Sequence, residues 1–272
     1  MVNALALTHT LTATLQHSRK ARRVSQLELS LRMGVSQRHV SFVESGRAKP
    51  SRDLLVAWLQ ALDVPLAQRN AAMLQAGYAP VYSQQSLNDA PLLPANDAIL
   101  HLLDAHDPMP AFVVDALWNL VHVNAGGRWL AVTLMPWLAD LPEDAPLNML
   151  DALCHPEGFV KHLTNLAEVG PALLAHLRDD ASVQPSLAPK VEAFAALLRE
   201  RLGAQSLHSG WPRQVAPVLT SRFATVHGEL SFFSMYTTFG TPQDITLASL
   251  RIEHMFAADA QTKAVLAEQV SR

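Results

Sequence analysis

Residues 25–47 read SQLELSLRMGVSQRHVSFVESGR, and the rest of the chain is best understood outward from them. Ser25 opens an S-Q-L-E run, so its hydroxyl is placed to accept from the Glu28 backbone N–H while Glu28 reaches back, a capping box. Leu27, Leu29 and Met33 give the short helix that follows an apolar side. Gly34 supplies the positive φ that a sharp helix-ending turn requires, and Val35 plugs the corner. Ser36 caps a second helix in which Val40 and Val43 face inward, leaving Gln37, Arg38, His39, Ser41 and Phe42 pointing elsewhere. Two short helices about a Gly-containing turn, with a polar outer face at the start of the second, predict a helix-turn-helix that reads DNA.

Those residue types suit that task for geometric reasons. The major groove admits one helix, whose first turns reach the base edges. Gln pairs bidentately with adenine and Arg with guanine, whereas Ser and His serve a base or a phosphate. Ser36, Gln37, Arg38, His39 and Ser41 are therefore the candidates at the base edges, with Phe42 beside them for a thymine methyl or for packing. Gln26 stands at a helix N-terminus, where backbone N–H groups favour a phosphate. Arg47 and Lys49, just past Gly46, and the Arg19–Arg23 cluster closing an earlier helix (residues 8–23) are further phosphate candidates, blind to sequence. A plain helical hairpin with a solvated face competes with this reading. The cations flanking the second helix, and Ser51 capping a further apolar helix through Leu62, weigh against it.

Over residues 11–63 the chain resembles the helix-turn-helix domain of XRE-type bacterial regulators, the phage-repressor type. The matching string is S-Q-L-E-L-S…G-V-S-Q-R-H-V-S-F-V-E-S-G-R…P-S…L-D-V-P. The resemblance implies an all-α domain of five helices that binds DNA as a dimer, with Gln26, Gln37, Arg38 and Ser41 toward the duplex.

Charge divides the chain. Residues 1–80 hold ten Lys and Arg against four Asp and Glu, and the remainder eleven against twenty, for a net −3. A basic first third beside an acidic body fits a DNA-binding head on a body that stays off phosphate. Cys154 is the single cysteine, so no internal disulfide forms, and a reducing cytoplasm is expected. No basic-then-apolar signal opens the chain and no run of 18 apolar residues occurs, so neither secretion nor membrane insertion is expected.

The first domain is expected to span residues 1–80, its fifth helix running from 67 to 76 and stopping at Gly77. A proline-bearing polar linker follows over 81–96, then a second domain over 97–270. There Ile99, Leu100 and Leu103 mark a helix, and residues 111–115 and 118–124 alternate as two strands. Asn124 caps a helix, and residues 156–202 read as helices over 159–162, 166–177 and 191–202. Strands over 215–226 and 229–239 flank a His227-Gly228 turn, a third covers 247–255, and Asp259 caps a closing helix. The whole is α+β: an all-α head, then an α+β domain on an antiparallel sheet of about five strands, whose inner face needs helices or a ligand to cover it.

Residues 97–267 resemble the ligand-binding domain of MmyB-like regulators, whose fold is PAS-like. The matching strings are PAFVVDALWNLVHVNAGG, HPEGFVKHLTNLAE, GELSFFSMYTTFGTPQDITLASLRIEHMF and AADAQT; Ala258 stands where the family usually has proline. The resemblance implies transcription regulation through a small ligand, apolar and acyl-like, held between sheet and helices. Phe112, Trp118, Trp129, Phe159, Phe232, Met235 and Phe239 are the candidate wall residues, though core filler is built from the same types.

Other chemistry finds little footing. His155, Glu157 and His162 come nearest to a metal set, but Pro156 breaks the start and no H-E-x-x-H occurs, so no metal is expected. Cys154-His155 lacks an orienting third group, N-A-G-G-R lacks the phosphate-loop spacing, and Ser231 lacks the second glycine of a nucleophile elbow. The expected protein is a homodimeric DNA-binding regulator on a palindromic operator, with no cofactor and no catalysis. An enzyme localised by a DNA-binding head and a non-sensing dimerisation scaffold remain the alternatives.

Overall fold

The computed structural model describes residues 10–142, 145–203 and 218–270. The chain divides into two units: Met1–Gln85 with Thr241–Ala248, and Ser86–Gly240 with Ser249–Arg272.

The first unit carries five helices: α1 (Leu11–Ala21), α2 (Gln26–Met33), α3 (Gln37–Glu44), α4 (Arg52–Ala61) and α5 (Leu66–Gln75). Each of the first four is started by a hydroxyl side chain, from Thr10, Ser25, Ser36 and Ser51, accepting an orphan N–H of the first turn. Gly34 ends α2 at φ 67°, the left-handed geometry its position in the sequence demands. Leu15, Leu29, Val40, Val43, Leu55 and Trp58 meet in one core and are essentially inaccessible, each burial contributing about 1.5–3 kcal/mol.

Three local expectations change here. The first helix closes at Ala21, because Arg23 turns left-handed at φ 55°; residues 8 and 9 lie outside the described residues. Leu27 is 53 % exposed, so the apolar side of α2 is carried by Leu29 and the half-buried Met33. The Ser25 hydroxyl does accept from Glu28 N at 3.0 Å, but the Glu28 carboxylate swings along the helix to Arg32 and forms no return arm. An i,i+4 partner is as near as the cap N–H and carries full charge.

The second unit is a five-stranded antiparallel sheet, PAS-like, in the order β2-β1-β5-β4-β3, with helices α6–α11 and α13. The strands are β1 (Ala111–Val114), β2 (Leu120–Val123), β3 (Ser221–Thr225), β4 (Gly228–Thr237) and β5 (Arg251–Ala257). Helix α6 (Leu93–His106) and α7 (Ala125–Leu134) flank the first hairpin; α8 (Met149–Cys154), α9 (Phe159–His162), α10 (Leu166–Val183) and α11 (Ala188–Leu202) follow. Helix α13 (Ala260–Gln269) closes the chain under an Asp259 cap. Asn124 caps α7 as its sequence position suggests, and its oxygen also accepts from Ala111 N at 2.8 Å, tying helix to strand. Gly170 lets α11 approach α10: a Cβ there would stand 2.8 Å from Leu198 Cδ2.

Two strands are redrawn. Trp118 lies outside the strands, in the turn between β1 and β2 at φ 63°, because Asp115 Oδ1 accepts from both Leu117 N and Asn119 N and pulls the chain into a tight loop. The strand expected over 247–255 is instead a short helix, α12 (Ile245–Ser249), followed by β5. Asp244 explains the helix: its Oδ1 accepts from Thr246 N at 2.8 Å, an Asx turn that an apolar pattern does not reveal. Residues 215–217 lie outside the described residues, and β3 begins at Ser221.

Candidate nucleic-acid interface and ligand cavity

In the head, Gln37 and Arg38 are exposed on the first turn of α3, with His39, Ser41 and Phe42 half-buried behind them. Ser36 is occupied as a cap, its Oγ accepting from His39 N at 3.2 Å. Phe42 packs against cations: the Arg38 guanidinium lies 5.1 Å and that of Arg47 5.7 Å from its ring centre. Arg47 is exposed beyond Gly46, and Lys49 rests 5.1 Å from the Tyr78 ring. Arg23 is exposed too.

Arg19 points the other way. Its Nε and Nη2 donate to the two oxygens of Glu44 at 2.7 and 2.9 Å, its Nη1 to Val24 O, and it keeps only 12 % of its side chain accessible. Gln26 Nε2 donates to the same carboxylate at 2.8 Å. Burial pushes the Glu44 carboxyl up, but the bonds from Arg19 and Gln26 and the Arg19 charge outweigh it and hold the group below its ordinary range. The bond to Glu44 in turn raises Arg19. Arg19 is thus a core tie between α1 and α3, and Gln26 has one amide N–H committed to it.

In the second unit, one face of the sheet and helices α8, α9 and α10 enclose a cavity of about 580 Å³. Register decides who faces it. Phe112 pairs with Glu253, Tyr236 with Glu253 and Ser234 with Met255, so these five side chains share a face. Phe223 from β3 and Leu150, Phe159, Leu173 and Leu177 from the helices complete an apolar wall. Of the residues picked from the sequence, Phe112, Trp118, Phe159 and Met235 border this cavity. Phe232 is fully buried in the core, Trp129 packs 5.5 Å from the His227 ring, and Phe239 borders a smaller hollow of about 140 Å³ with Ile99 and Ile252.

A polar corner went unnoticed in the sequence. Glu253 borders the cavity and accepts from Ser234 Oγ at 2.6 Å, and Tyr236 is its partner across the β4–β5 pair. Beside it, Asp180 on α10 accepts from Trp118 Nε1 at 2.9 Å and from Arg251 Nη1 and Nη2 at 2.9 and 2.8 Å, and the Arg251 guanidinium lies 4.9 Å from the Trp118 ring. His176 stacks on Tyr236 with its Nε2 buried 3.9 Å from Asp180. Burial drives Glu253 above the ordinary carboxylate range, against the bond from Ser234 and the nearness of the Tyr236 hydroxyl. Burial likewise, then the charge of Glu253, lifts the Tyr236 hydroxyl well above its own. Tyr236 keeps 43 % of its surface accessible, which is compatible with that burial because its ring lines the cavity.

Elsewhere, burial and then Asp151 push the Cys154 thiol up, opposite to what a nucleophile needs. His155 accepts from Glu157 N while Glu157 pairs with Lys161; among the described residues no three His, Cys, Asp or Glu converge on a metal position. No described helix is long and apolar enough to cross a membrane.

Comparison with known proteins finds two families along the chain. The family described as MmyB-like transcription regulator ligand binding domain matches residues 95–268, and the helix-turn-helix family matches residues 15–68. No curated protein matches. Among solved structures, an RNA-binding light-oxygen-voltage receptor aligns at 12 % identity over 95 % of this chain, with a TM-score of 0.23, too low to carry any conclusion; the chain spans 62 % of that receptor's length. The family match covers the larger part of the sequence and contains the whole cavity described above. This chain belongs to the MmyB-like transcription regulators, a DNA-binding helix-turn-helix head with a ligand-binding domain behind it.

Proposed function

We propose that the chain is a cytoplasmic one-component regulator that binds a palindromic operator as a two-fold dimer, changes its DNA affinity on taking up a small, largely apolar molecule, and turns over no substrate. The head would occupy residues 1–80, the sensor 97–270 and the linker 81–96. Gln37 and Arg38, exposed on the first turn of α3, reach base edges, with His39, Ser41 and Phe42 behind them; Arg23, Arg47 and Lys49 meet phosphates. The apolar cavity of about 580 Å³ carries the sensing half of the reading, since its size and lining are those of a small-molecule pocket. The ligand acts only through differential affinity for two arrangements of the protein. Arg19, held by Glu44, supports α3 from within.

Selection of bound duplexes from a random pool, with and without host cell extract, tests the whole. A two-fold sequence motif with half-sites about 34 Å apart, and a change in retention when extract is added, are expected. Absence of any sequence preference would refute the DNA half. Native mass spectrometry of protein from its own host addresses the other half, where an adduct of one small apolar compound is expected.

A further inference from the structure

The stretch between β4 and β5 does not stay with the strands it joins. Thr241–Ala248 belongs to the first unit, although both strands belong to the second. Asp244 anchors it, a carboxylate only 5 % exposed. One of its oxygens accepts from Thr246 N and starts α12; the other accepts from Gln85 N at 3.2 Å. Ile245 N donates to Ser83 O at 2.8 Å and Thr246 Oγ1 to Gln85 O at 2.6 Å, so three bonds join this turn to residues 83–85. The two residues before those are tied to α5. Asn70 Oδ1 accepts from Val81 N and Tyr82 N, its Nδ2 donates to Tyr82 O, and Arg69 Nη1 donates to the Tyr82 hydroxyl. A slack polar connection would insulate what it joins, whereas residues 81–85 are held on one side by α5 and on the other by the Asp244 turn. The turn itself runs directly into the cavity wall, since β4 brings Ser234 and Tyr236 to the cavity and β5 brings Glu253 and Met255.

We propose that the Asp244 turn is a relay. A molecule seated against β4 and β5 is felt at the ends of those strands, Asp244 and Thr246 pass the shift to residues 83–85, and Asn70 hands it to α5. The proposal rests on the apolar-ligand reading above and adds the route by which the head is informed. It requires only that the molecule favour one arrangement of the turn over another. Asp244 suits the role because its two oxygens serve the two sides. Breaking either bond leaves a buried carboxylate oxygen without its partner, so α12 and Gln85 move together rather than separately. Asp244 and Thr246 are positioning residues, and neither borders the cavity.

Hydrogen exchange on the full-length protein, resolved by peptide, tests the relay with two variants. Asp244→Asn keeps an oxygen for Thr246 N and sets an amide NH2 against Gln85 N; Thr246→Val removes the bond to Gln85 O and leaves its own backbone N with Asp244. The cavity is perturbed in two independent ways: by decan-1-ol below its solubility limit, and by Leu173→Trp, which fills the space from α10 without any ligand. Either perturbation is expected to change exchange over residues 66–85 about fivefold in the otherwise native chain. In both relay variants decanol should bind within about twofold of its native affinity and still protect β4 and β5, while the response over 66–85 disappears. An undiminished response there in both variants would overturn the relay, and so would a native head that stays silent in both arms. Decanol failing to bind, with Leu173→Trp still moving 66–85 through Asp244, would sink the apolar-ligand reading and leave the relay standing. If Leu173→Trp unfolds the sensor, the decanol arm decides alone.

Discussion

Each unit surrounds a glutamate, and the two are handled in opposite ways. Glu44 in the head is 3 % exposed and takes bonds from Arg19 and Gln26, so its charge is answered within the chain and its carboxyl sits low. Glu253 in the sensor takes one hydroxyl bond, from Ser234, while the neighbouring Arg251 is paired with Asp180, and burial drives its carboxyl high. The contrast separates architecture from recognition. A carboxylate satisfied from inside cross-braces helices, whereas one left with spare lone pairs at a cavity wall is poised for something from outside.

The largest effect that tests this contrast is on stability. Glu44→Ala strands Arg19 in the core and should cost the head about 3–5 kcal/mol, whereas Glu253→Gln should change sensor stability by under ~1 kcal/mol or improve it. Hydrogen exchange resolved by unit distinguishes the two, and equal losses would erase the distinction. Next comes Arg38→Ala, expected to cost ~1–3 kcal/mol of binding at one base position and to relax preference there. Arg19→Ala should instead weaken all sequences alike by destabilising the head; competition assays on single-base operator variants read both. Removing the α3 cap with Ser36→Ala should cost about 1 kcal/mol of head stability in thermal unfolding, with base preference retained.

The smallest expected effect is the response to pH, since each part hangs on one group. Glu44 has a folded value below its ordinary 4.5, so its contribution is present above that value and disappears as pH falls through the folded one. Glu253 has a folded value above 4.5, so it contributes nothing at lower pH and costs stability as pH rises from there through its folded value. The groups that face it are Tyr236 from β4, Arg251 from β5, and His176 and Asp180 from α10, and Glu253→Gln should remove the second slope while sparing the first. Thermal melts across mildly acidic pH, followed separately for each unit, check both signs.

Much of this was legible in the residues. Ser25, Gly34, Ser36 and Ser51 announce their helices because caps and left-handed turns are local chemistry. The strand pairs and the His227-Gly228 turn were legible for the same reason. The polar corner of the cavity was not. Glu253 shares a face with Arg251 and the inward Met255 in a two-residue period, but charged residues in a strand ordinarily face water, and the corner's other members Asp180 and Tyr236 lie 73 and 17 positions from it in sequence. Trp118 looked like a strand residue because its left-handed turn is dictated by the side chain of Asp115, three residues back. Arg19 looked available for phosphate because nothing near it in sequence betrays Glu44, 25 residues on.

One aromatic ring sets the terms on which the head meets a partner. A long basic side chain in open water samples many rotamers and forfeits up to ~2 kcal/mol when it is pinned. Phe42 already rests against both Arg38 and Arg47, so part of that freedom is surrendered while the domain folds. Whatever these two guanidinium groups touch, they reach it as a prearranged pair, and losing the ring would make both slacker at once.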